Sequence, residues 1–447
     1  MHLEPHLRLE GHSTARNQCV AAQPIFAGST ILTEHALSSV LLLSEKQKRC
    51  DACHKLALSN HLKKCTGCAS FWYCDTTCQT ADWVASHKKI CRSFNQLTSS
   101  KPFIALENHE KMDSLLLTNL VAHIESMKLS FDDASSPLCT FMSLLPGPSK
   151  ATHPPVLSKT SIFEGRLNNL YWRFGNNNFS IHSHFNTYAH GIFPLASRLF
   201  NHSCTPNAAA KYIITPENSV KMEVIALRPI SAGEEICLPY IDPALLQTRR
   251  TVFQMTYGFT CHCPSCVLLN TLGDVPEPPK EAEERKKVSK RLRDFMVSNG
   301  DANPIVSGVS ALDPFPPELR CVLHESFLAS LAEDFSNAAH DGPYDVAVEY
   351  GTTLTALYQL IYPPNYPQIG LHSLEMAKIT WNQIVLSDSH DRAMKQQMWA
   401  YLSSAEKVLA TLGKEGDQSN GPWNEIEMLT NILIEEGRDK LSSVRTI

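Results

Sequence analysis

Residues 50–91 read CDACHKLALSNHLKKCTGCASFWYCDTTCQTADWVASHKKIC, and this stretch holds eight metal-ligand side chains in four close pairs. The eight are Cys50, Cys53, Cys65, Cys68, Cys74, Cys78, His87 and Cys91. A tetrahedral Zn²⁺ site takes four ligands of the kind that cysteine and histidine supply, and two ligands on one tight turn can face the same ion. The stretch therefore predicts a small module that binds two zinc ions.

A disulfide framework is the alternative explanation of so many clustered cysteines. The first residues, beginning Met1-His2-Leu3-Glu4, lack the charged and then apolar pattern of a secretory signal. No run of about 20 apolar residues predicts a membrane span. We therefore expect an intracellular protein of the cytoplasm or nucleus, without membrane attachment, in which the clustered cysteines bind metal.

Length and composition are those of an ordinary globular protein. The 447 residues have room for about three domains, and a hydrophobic content of 43% allows a sizeable core. The net charge of −5 argues against general nucleic-acid binding. Residues 45–95 are nevertheless basic, with a charge of about +2 once seven thiolates and two Zn²⁺ are included. We interpret this as a solvated basic face; an acidic partner such as DNA is the alternative.

Local patterns divide the rest of the chain into a β-rich part and a helical part. Thr77 to Lys89 lacks proline and glycine and predicts a short helix that carries His87. Prolines predict a loop at 146–160, and a linker is expected at 270–280. Strands are expected within 18–43 and again from 177, and helices within 95–145, 366–386, 389–412 and 421–440.

A second set of cysteines predicts a third zinc site. Cys261, Cys263 and Cys266 supply three ligands and leave one position open. Cys204, in the string NHSCTPN at 201–207, is the best candidate for the fourth ligand; a buried, inert Cys204 is the alternative. Core packing is the expected role of the four isolated cysteines, which are Cys19, Cys139, Cys237 and Cys321.

Four further strings accompany the zinc-binding stretch, in this order: NHSCTPNA at 201–208, AGEEICLPY at 232–240, YGFTCHCPSC at 257–266 and YPPNYPQIGL at 362–371. Together they resemble the SET and MYND domain (SMYD) family of protein-lysine methyltransferases. Residues 50–91 resemble its MYND zinc finger, the first two strings resemble SET motifs, the third resembles the post-SET segment, and the last resembles a phrase of the C-terminal domain. The resemblance covers nearly the whole chain.

The resemblance implies an α+β fold. A SET-type β core would be interrupted by a MYND zinc finger and followed by a zinc-binding post-SET segment and an all-α, tetratricopeptide-like C-terminal domain. The implied parts are 1–48 (SET, N-terminal part), 49–94 (MYND), 95–176 (helical SET insertion), 177–256 (SET core), 257–270 (post-SET) and 280–447 (helical domain).

The resemblance also implies a zinc pairing that spacing alone leaves open. MYND pairs interleave, so one zinc would be held by Cys50, Cys53, Cys74 and Cys78, and the other by Cys65, Cys68, His87 and Cys91. With the third site, the chain would carry three zinc ions. Interleaved ligands tie two loops together, which makes metal binding part of the folding free energy.

The implied activity is methyl transfer from S-adenosylmethionine (SAM) to a lysine of a histone or another protein. By resemblance, Tyr240 lies at the methyl-transfer site and Tyr257 lines the lysine channel or contacts the cofactor, so both are candidate catalytic residues. Their alternative role is that of a core tyrosine, and His202 has a structural alternative. Cofactor contacts are implied at Asn17, Asn177, Asn201, His202, Tyr240, Tyr257 and Phe259.

This chemistry explains the residue types. The transfer needs a neutral amine, and because lysine has a pKa of about 10.4, removing its proton at pH 7 costs about 4–5 kcal/mol. An apolar aromatic channel and the charge of the nearby sulfonium both lower that pKa. Aromatic rings and hydroxyls are therefore needed more than a strong base, which suits Tyr240, Tyr257 and Phe259.

One departure from the family pattern keeps a second function open. The family has R-G-x-G-L before its first strand, whereas residues 15–21 read ARNQCVA and lack both glycines. Glycine permits close approach and positive φ, so we expect weaker cofactor binding or a shifted loop. The alternative is a non-catalytic adaptor that binds partner proteins through its MYND finger, which would take proline-rich peptides, and its C-terminal helices. In either case we expect a monomer.

Overall fold

The computed structural model describes residues 3–57, 61–157, 160–214, 220–299, 315–387, 392–418 and 421–443, with side chains given for all of these but 299 and 436–443. Parts of several sequence predictions lie outside the described residues. These parts are 58–60 of the predicted zinc finger, 158–159 of the predicted loop, 215–219 of the predicted SET core, 300–314, 388–391 and 419–420 of the predicted helical domain, and 1–2 and 444–447 at the chain ends.

Short strands form the β-rich part of the molecule. They are β1 (Leu7–Glu10), β2 (Gln18–Ala21), β3 (Thr30–His35), β4 (Ser38–Leu41), β5 (Lys63–Lys64), β6 (Trp72–Tyr73), β7 (Asn178–Ser183), β8 (Asn186–Ile192), β9 (Asn201–His202), β10 (Ala208–Ile213), β11 (Lys221–Ala226) and β12 (Cys237–Leu238). The strands predicted within 18–43 and from 177 are confirmed. Ile25 makes only an isolated bridge to Ile230, and β1 was not predicted.

The strands pair into small sheets with the orders β1-β2, β10-β11-β3, β4-β8-β7, β5-β6 and β12-β9. Apolar residues of the inward faces form one core, in which Tyr188, Phe193, Val224 and Ile236 are each at most 1% exposed. The parallel pair β9–β12 matters most for function. It sets Asn201 opposite Cys237, and so brings the NHSC string beside the strand that leads into Tyr240.

Helices fill the zinc finger and the insertion that follows it. They are α1 (Thr76–Asp82), α2 (Lys88–Ile90), α3 (Phe94–Thr98), α4 (Lys101–Ile104), α5 (Asn108–Met127), α6 (Pro137–Ser143), α7 (Glu164–Tyr171) and α8 (Phe174–Asn177). The helix predicted from Thr77 to Lys89 is confirmed as a helical run, in which a π-helical turn at Trp83–His87 joins α1 to α2. Asp75 starts that run, because its carboxylate accepts a hydrogen bond from Cys78 N at 2.9 Å.

The long helix α5 supports the zinc finger and the SET strands together. Glu107 and Glu110 form a capping box that satisfies its first backbone N–H groups. Its buried face includes Leu116, Leu117 and Leu120, each 0% exposed, and α5 packs against β4 and against the Trp83–His87 turn.

The remaining helices are α9 (Pro194–Leu199), α10 (Thr248–Val252), α11 (Pro264–Leu272), α12 (Ala282–Asn299), α13 (Glu325–Asp341), α14 (Tyr344–Ile361), α15 (Pro367–Leu386), α16 (Arg392–Leu412) and α17 (Pro422–Ser443). From α13 to α17, each helix packs against the next. One apolar cluster contains Ile225 and Leu246 of the β-rich part together with Leu357 and Leu360 of α14. The helical domain is therefore packed onto the SET strands through a shared core.

These observations agree with the predicted α+β fold class, in which a β-rich part is followed by a helical C-terminal domain. In the part of the chain that the structure describes, no helix combines the length and the apolar character that crossing a bilayer requires.

Candidate active site and metal clusters

Among the described residues, three groups of four ligands each converge so closely that all their ligand atoms lie within 4.8 Å of one another. The groups are Cys50/Cys53/Cys74/Cys78, Cys65/Cys68/His87/Cys91 and Cys204/Cys261/Cys263/Cys266. This is the grouping that the family resemblance implied. All 15 cysteines are free thiols, so the structure shows no disulfide framework.

The spacing of these atoms fits zinc. A Zn–S distance of about 2.3 Å in a tetrahedron requires about 3.8 Å between sulfur atoms. The observed Sγ–Sγ distances are 3.7 Å for Cys53 and Cys74, and 3.6 Å for Cys204 and Cys266. His87 Nε2 lies 3.4 Å from Cys65 Sγ, with its ring against Phe71. Each cluster can therefore hold one zinc ion.

The third cluster connects directly to the predicted catalytic tyrosine through His202. The backbone N–H of Tyr240 donates to His202 Nδ1 at 3.0 Å, which places the ring proton on Nε2. Nε2 then donates to Cys204 Sγ at 3.1 Å. Both ring nitrogens are thus used inside the protein, and only the ring face and backbone of His202 remain for a ligand. The imidazole orients a metal-ligand thiolate on one side and positions Tyr240 on the other.

The Tyr240 hydroxyl has a fixed donor direction. It donates to the carbonyl of Phe200 at 2.7 Å, so its oxygen is left as a hydrogen-bond acceptor. Burial raises the pKa of Tyr240 well above its usual value, and burial also raises the pKa of Tyr257 to about 12. Both phenols are therefore neutral at physiological pH, and neither acts as a strong base.

An aromatic cluster surrounds Tyr240. The ring of Tyr257 lies 5.1 Å from that of Tyr240, and Phe259 lies 6.1 Å from Tyr257 and 6.4 Å from Tyr240. Phe253, which the sequence analysis did not single out, stacks on Phe259 at 5.1 Å and lies 4.3 Å from His202. Its sequence position, four residues before Tyr257 in the same helical run, is the only signal that pointed to it.

Asn201 and Asn17 meet on another side of this cluster. Asn201 Nδ2 donates to Asn17 O and to Glu235 Oε1, both at 2.8 Å. Arg198 Nη2 donates to Asn17 Oδ1 at 2.8 Å and so fixes the side chain as well as the backbone of that loop. Neither Arg198 nor Glu235 was assigned this role from sequence, although Arg198 lies three residues before Asn201 and Glu235 five residues before Tyr240.

The N-terminal loop shows no backbone strain, although it lacks both glycines of the family pattern. Residues 15–21 are all described, and none has a positive φ. Any residue type can therefore adopt the backbone conformation of this loop. Hydrogen bonds from Asn201 and Arg198 hold the loop in place, so it does not need the conformational freedom of glycine.

Asn177 stands apart from the other predicted cofactor contacts. It ends α8, it is 8% exposed, and its Nδ2 donates to Arg173 O and Asn176 Oδ1 at 2.8 and 2.9 Å. Helix α8 packs against the Phe253–Tyr257 turn, which places Asn177 near the aromatic cluster.

The residues present fit SAM as a ligand. Six of the seven predicted contacts are half-buried rather than sealed in the core, which leaves part of each surface free for a ligand. They combine aromatic rings for an adenine with amide and backbone groups for a charged amino-acid end. The six are Asn17, Asn201, His202, Tyr240, Tyr257 and Phe259.

Comparisons with known proteins support the family resemblance. A family model described as the SET domain matches residues 18–241, half of the chain. Histone-lysine N-methyltransferase ASHR1 of Arabidopsis thaliana is 24% identical over 79% of this chain and 82% of its own length. Histone-lysine N-methyltransferase SMYD3 of Homo sapiens is 23% identical over 85% and 90%, and N-lysine methyltransferase SMYD2 of Bos taurus is 25% identical over 80% and 84%.

Proposed function

Because the chain belongs to the SET-domain family, and within it to the SMYD type, we propose that it is a protein-lysine N-methyltransferase that uses SAM. The observation that carries the proposal is the convergence of Tyr240, Tyr257 and Asn201 around His202, whose imidazole is tied to the third cysteine cluster. These residues come from separate segments of the chain, and only the fold brings them together.

The proposed roles follow from the hydrogen bonds. SAM, when bound, supplies an electrophilic methyl group. Tyr240 accepts a hydrogen bond from the lysine amine, since its own proton is committed to Phe200 O. Tyr257 has only a 3.5 Å contact to Tyr240 O, which leaves its hydroxyl able to turn towards substrate or cofactor. The surrounding rings exclude water and favour the neutral amine.

The C-terminal helices contribute a wall close to this site. Asp242, two residues beyond Tyr240, accepts a hydrogen bond at 3.0 Å from the hydroxyl of Tyr362, the residue that follows α14. Tyr362 stacks on Tyr366 at 4.6 Å, and Asn365 Nδ2 donates to Leu227 O at 2.8 Å. We propose that the protein substrate contacts this wall. We also propose that the parts of the chain divided at residues 48, 94, 176, 256 and 270 act together as one catalytic unit.

The metal clusters are proposed to be structural. Each has four protein ligands and therefore lacks the open position that catalytic zinc keeps. The third cluster matters for activity through His202, because loss of Cys204 would release the imidazole that positions Tyr240.

Calorimetric titration of the zinc-loaded protein with SAM tests the proposal. We expect saturable binding to one site, and we expect Asn201→Ala to weaken it by about tenfold or more, since that change removes the bond that anchors the Asn17 loop. Tyr240→Phe should bind SAM normally and lose most methyl transfer. If no binding is detected at millimolar SAM, the methyltransferase proposal is rejected and the non-catalytic adaptor remains as the alternative.

One observation favours a partner-binding role beside the enzymatic one. A cavity of about 310 Å³ opens beside the second cluster, and its lining includes Gln79 and the 39% exposed Trp83. An exposed aromatic ring beside polar groups suits a proline-rich segment. Trp83→Ala should abolish binding of a proline-rich peptide while SAM binding is unchanged; equal peptide binding by the variant would reject this role.

A further inference from the structure

A cavity lies at the seam between the zinc finger and the SET strands, away from the proposed active site. Its volume is about 270 Å³, which is room for a small organic group. The wall of the cavity is formed by the β3–β4 turn, the first zinc loop, α1 with the turn that follows it, and α5. The lining residues used below are Ser38, Asp51, Ala81, Asp82, Asn119 and His123.

The lining is rich in hydrogen-bond acceptors and includes Cys53 and Cys78 of the first cluster, while Lys46 lines the adjoining cavity described below. Of the described residues that line the cavity, none is lysine or arginine. Burial lowers the pKa of His123, so that imidazole is neutral at pH 7. Asp51 is paired with Lys46, but Asp82 has no salt bridge within the described chain. Its two carboxylate oxygens accept from the neutral hydroxyls of Tyr73 and Ser86, at 2.7 and 3.1 Å.

Buried hydroxyls without partners give independent evidence for a ligand. Ser38 lines the cavity, is 7% exposed, and its Oγ has no hydrogen-bond partner. An adjoining cavity of about 30 Å³ shares Asp51, Asp82 and Asn119 with the first, and there Thr118, 3% exposed, has an unpartnered Oγ1. An unsatisfied buried hydroxyl costs free energy, so one in each of these adjoining cavities indicates a hydrogen-bond partner that is supplied by something bound.

A metal ion is not the group that fits. The candidate metal clusters found in the described residues are the three cysteine sites, and none of them contains Asp51, Asp82 or His123. The side-chain acceptors of the cavity are therefore too far apart for one ion to reach several of them. A flat group with several N–H donors can reach separated acceptors, and an arginine-like guanidinium offers five.

We propose that this seam cavity binds the guanidinium end of an alkyl chain, supplied either by a free alkylguanidine or by an arginine side chain of a partner protein. The cationic group would lie against Asp82 and Ser38, and the alkyl part would run past Ala81 at the exposed mouth. A bound cation would join α1 of the zinc finger to the SET strand β4 and stabilise their contact.

Titration of the full-length, zinc-loaded protein with agmatine, a free alkylguanidine, tests the proposal by calorimetry and thermal unfolding. We expect saturable binding and a rise in Tm, whereas pentylurea, which has a similar shape without the charge, should give neither. N-acetylarginine methylamide presents the same group on a backbone; its binding would identify a side chain as the source, and binding of agmatine alone would identify a free cation.

Matched variants separate the cavity from the rest of the surface. Ala81→Leu fills the mouth at an exposed position and should abolish agmatine binding, while Ala134→Leu, an exposed alanine outside the lining, should leave it unchanged. Ser38→Ala should weaken binding by about tenfold. Zinc content should stay constant in all of them. No saturable binding of agmatine, equal binding of pentylurea, or unchanged binding by Ala81→Leu would overturn the proposal.

Discussion

Glu415 lies at a buried junction between the C-terminal helices and the SET strands. Its replacement by glutamine should make the stability of that junction less sensitive to pH. Glu415 is 5% exposed, and its Oε1 accepts from His184 N at 2.9 Å. Its Oε2 has no hydrogen-bond partner and lies 3.9 Å from His182 Nδ1. Nearby, Lys211 Nζ donates to Leu412 O at 2.6 Å and lies 3.5 Å from Glu223.

Burial raises the pKa of the Glu415 carboxyl from 4.5 to about 7, against the opposing effects of the His184 hydrogen bond and of Lys211. The folded state therefore binds the proton more tightly than the unfolded state. The resulting stability is present below pH 4.5 and is lost as pH rises through about 7. Between pH 5 and pH 8 the loss amounts to about 2–3 kcal/mol. Burial lowers the pKa of His182 to about 4, so that imidazole is neutral across most of this range, and burial also lowers the pKa of His184.

Hydrogen exchange at the junction gives the measurement, because this multidomain chain need not unfold in one step. We expect the opening free energy of the peptides that contain Glu415 and His184 to fall between pH 5 and pH 8 in the wild type, and to fall by about 2–3 kcal/mol less in Glu415→Gln. The exposed Glu333→Gln serves as the control and should follow the wild type. If the opening free energy depends on pH equally in the wild type and in Glu415→Gln, the Glu415 carboxyl is not the source of the pH dependence.

Three further outcomes test other parts of the structure. Cys204→Ser should lower zinc content from three to two per chain by elemental analysis, and retention of three would remove Cys204 from the third cluster. Gly351→Ala should cost about 1–3 kcal/mol in denaturant unfolding, because the new Cβ would clash with Met376 Sδ; a neutral effect would contradict this packing of α14 on α15. Asp417→Asn removes the carboxylate that lies 2.7 Å from the guanidinium of the buried Arg49. It should destabilise the contact between the zinc finger and the C-terminal part by about 2–3 kcal/mol. A variant as stable as the wild type would show that this ion pair is dispensable.

Much of this architecture follows from local sequence features. Cysteines separated by one to three intervening residues favour metal binding in a chain that forms no disulfides, so the spacing at 50–91 and 261–266 predicted these ligands. The helical run that carries His87 follows from its lack of glycine and proline. The strand regions follow from apolar patches bounded by turns.

The contacts that complete the site join residues far apart in sequence, and local patterns do not encode them. Arg198 reaches Asn17 across 181 positions, and Glu415 reaches His184 across 231. The π-helical turn at Trp83–His87 is likewise set by packing against α5 rather than by the helical propensity of its residues. The family resemblance supplied the roles of Tyr240 and Asn201, while the hydrogen bonds that fix their orientation are visible only in three dimensions.

We propose that this chain places a methyl group on lysine through the site at Tyr240. Incubation of the zinc-loaded protein with isotope-labelled SAM and a cell extract, followed by mass spectrometry of the extract proteins, tests this proposal. We expect labelled methyl-lysine with the wild type and almost none with Tyr240→Phe of equal zinc content and equal SAM binding. Labelling that is absent with the wild type, or undiminished in Tyr240→Phe, would contradict it.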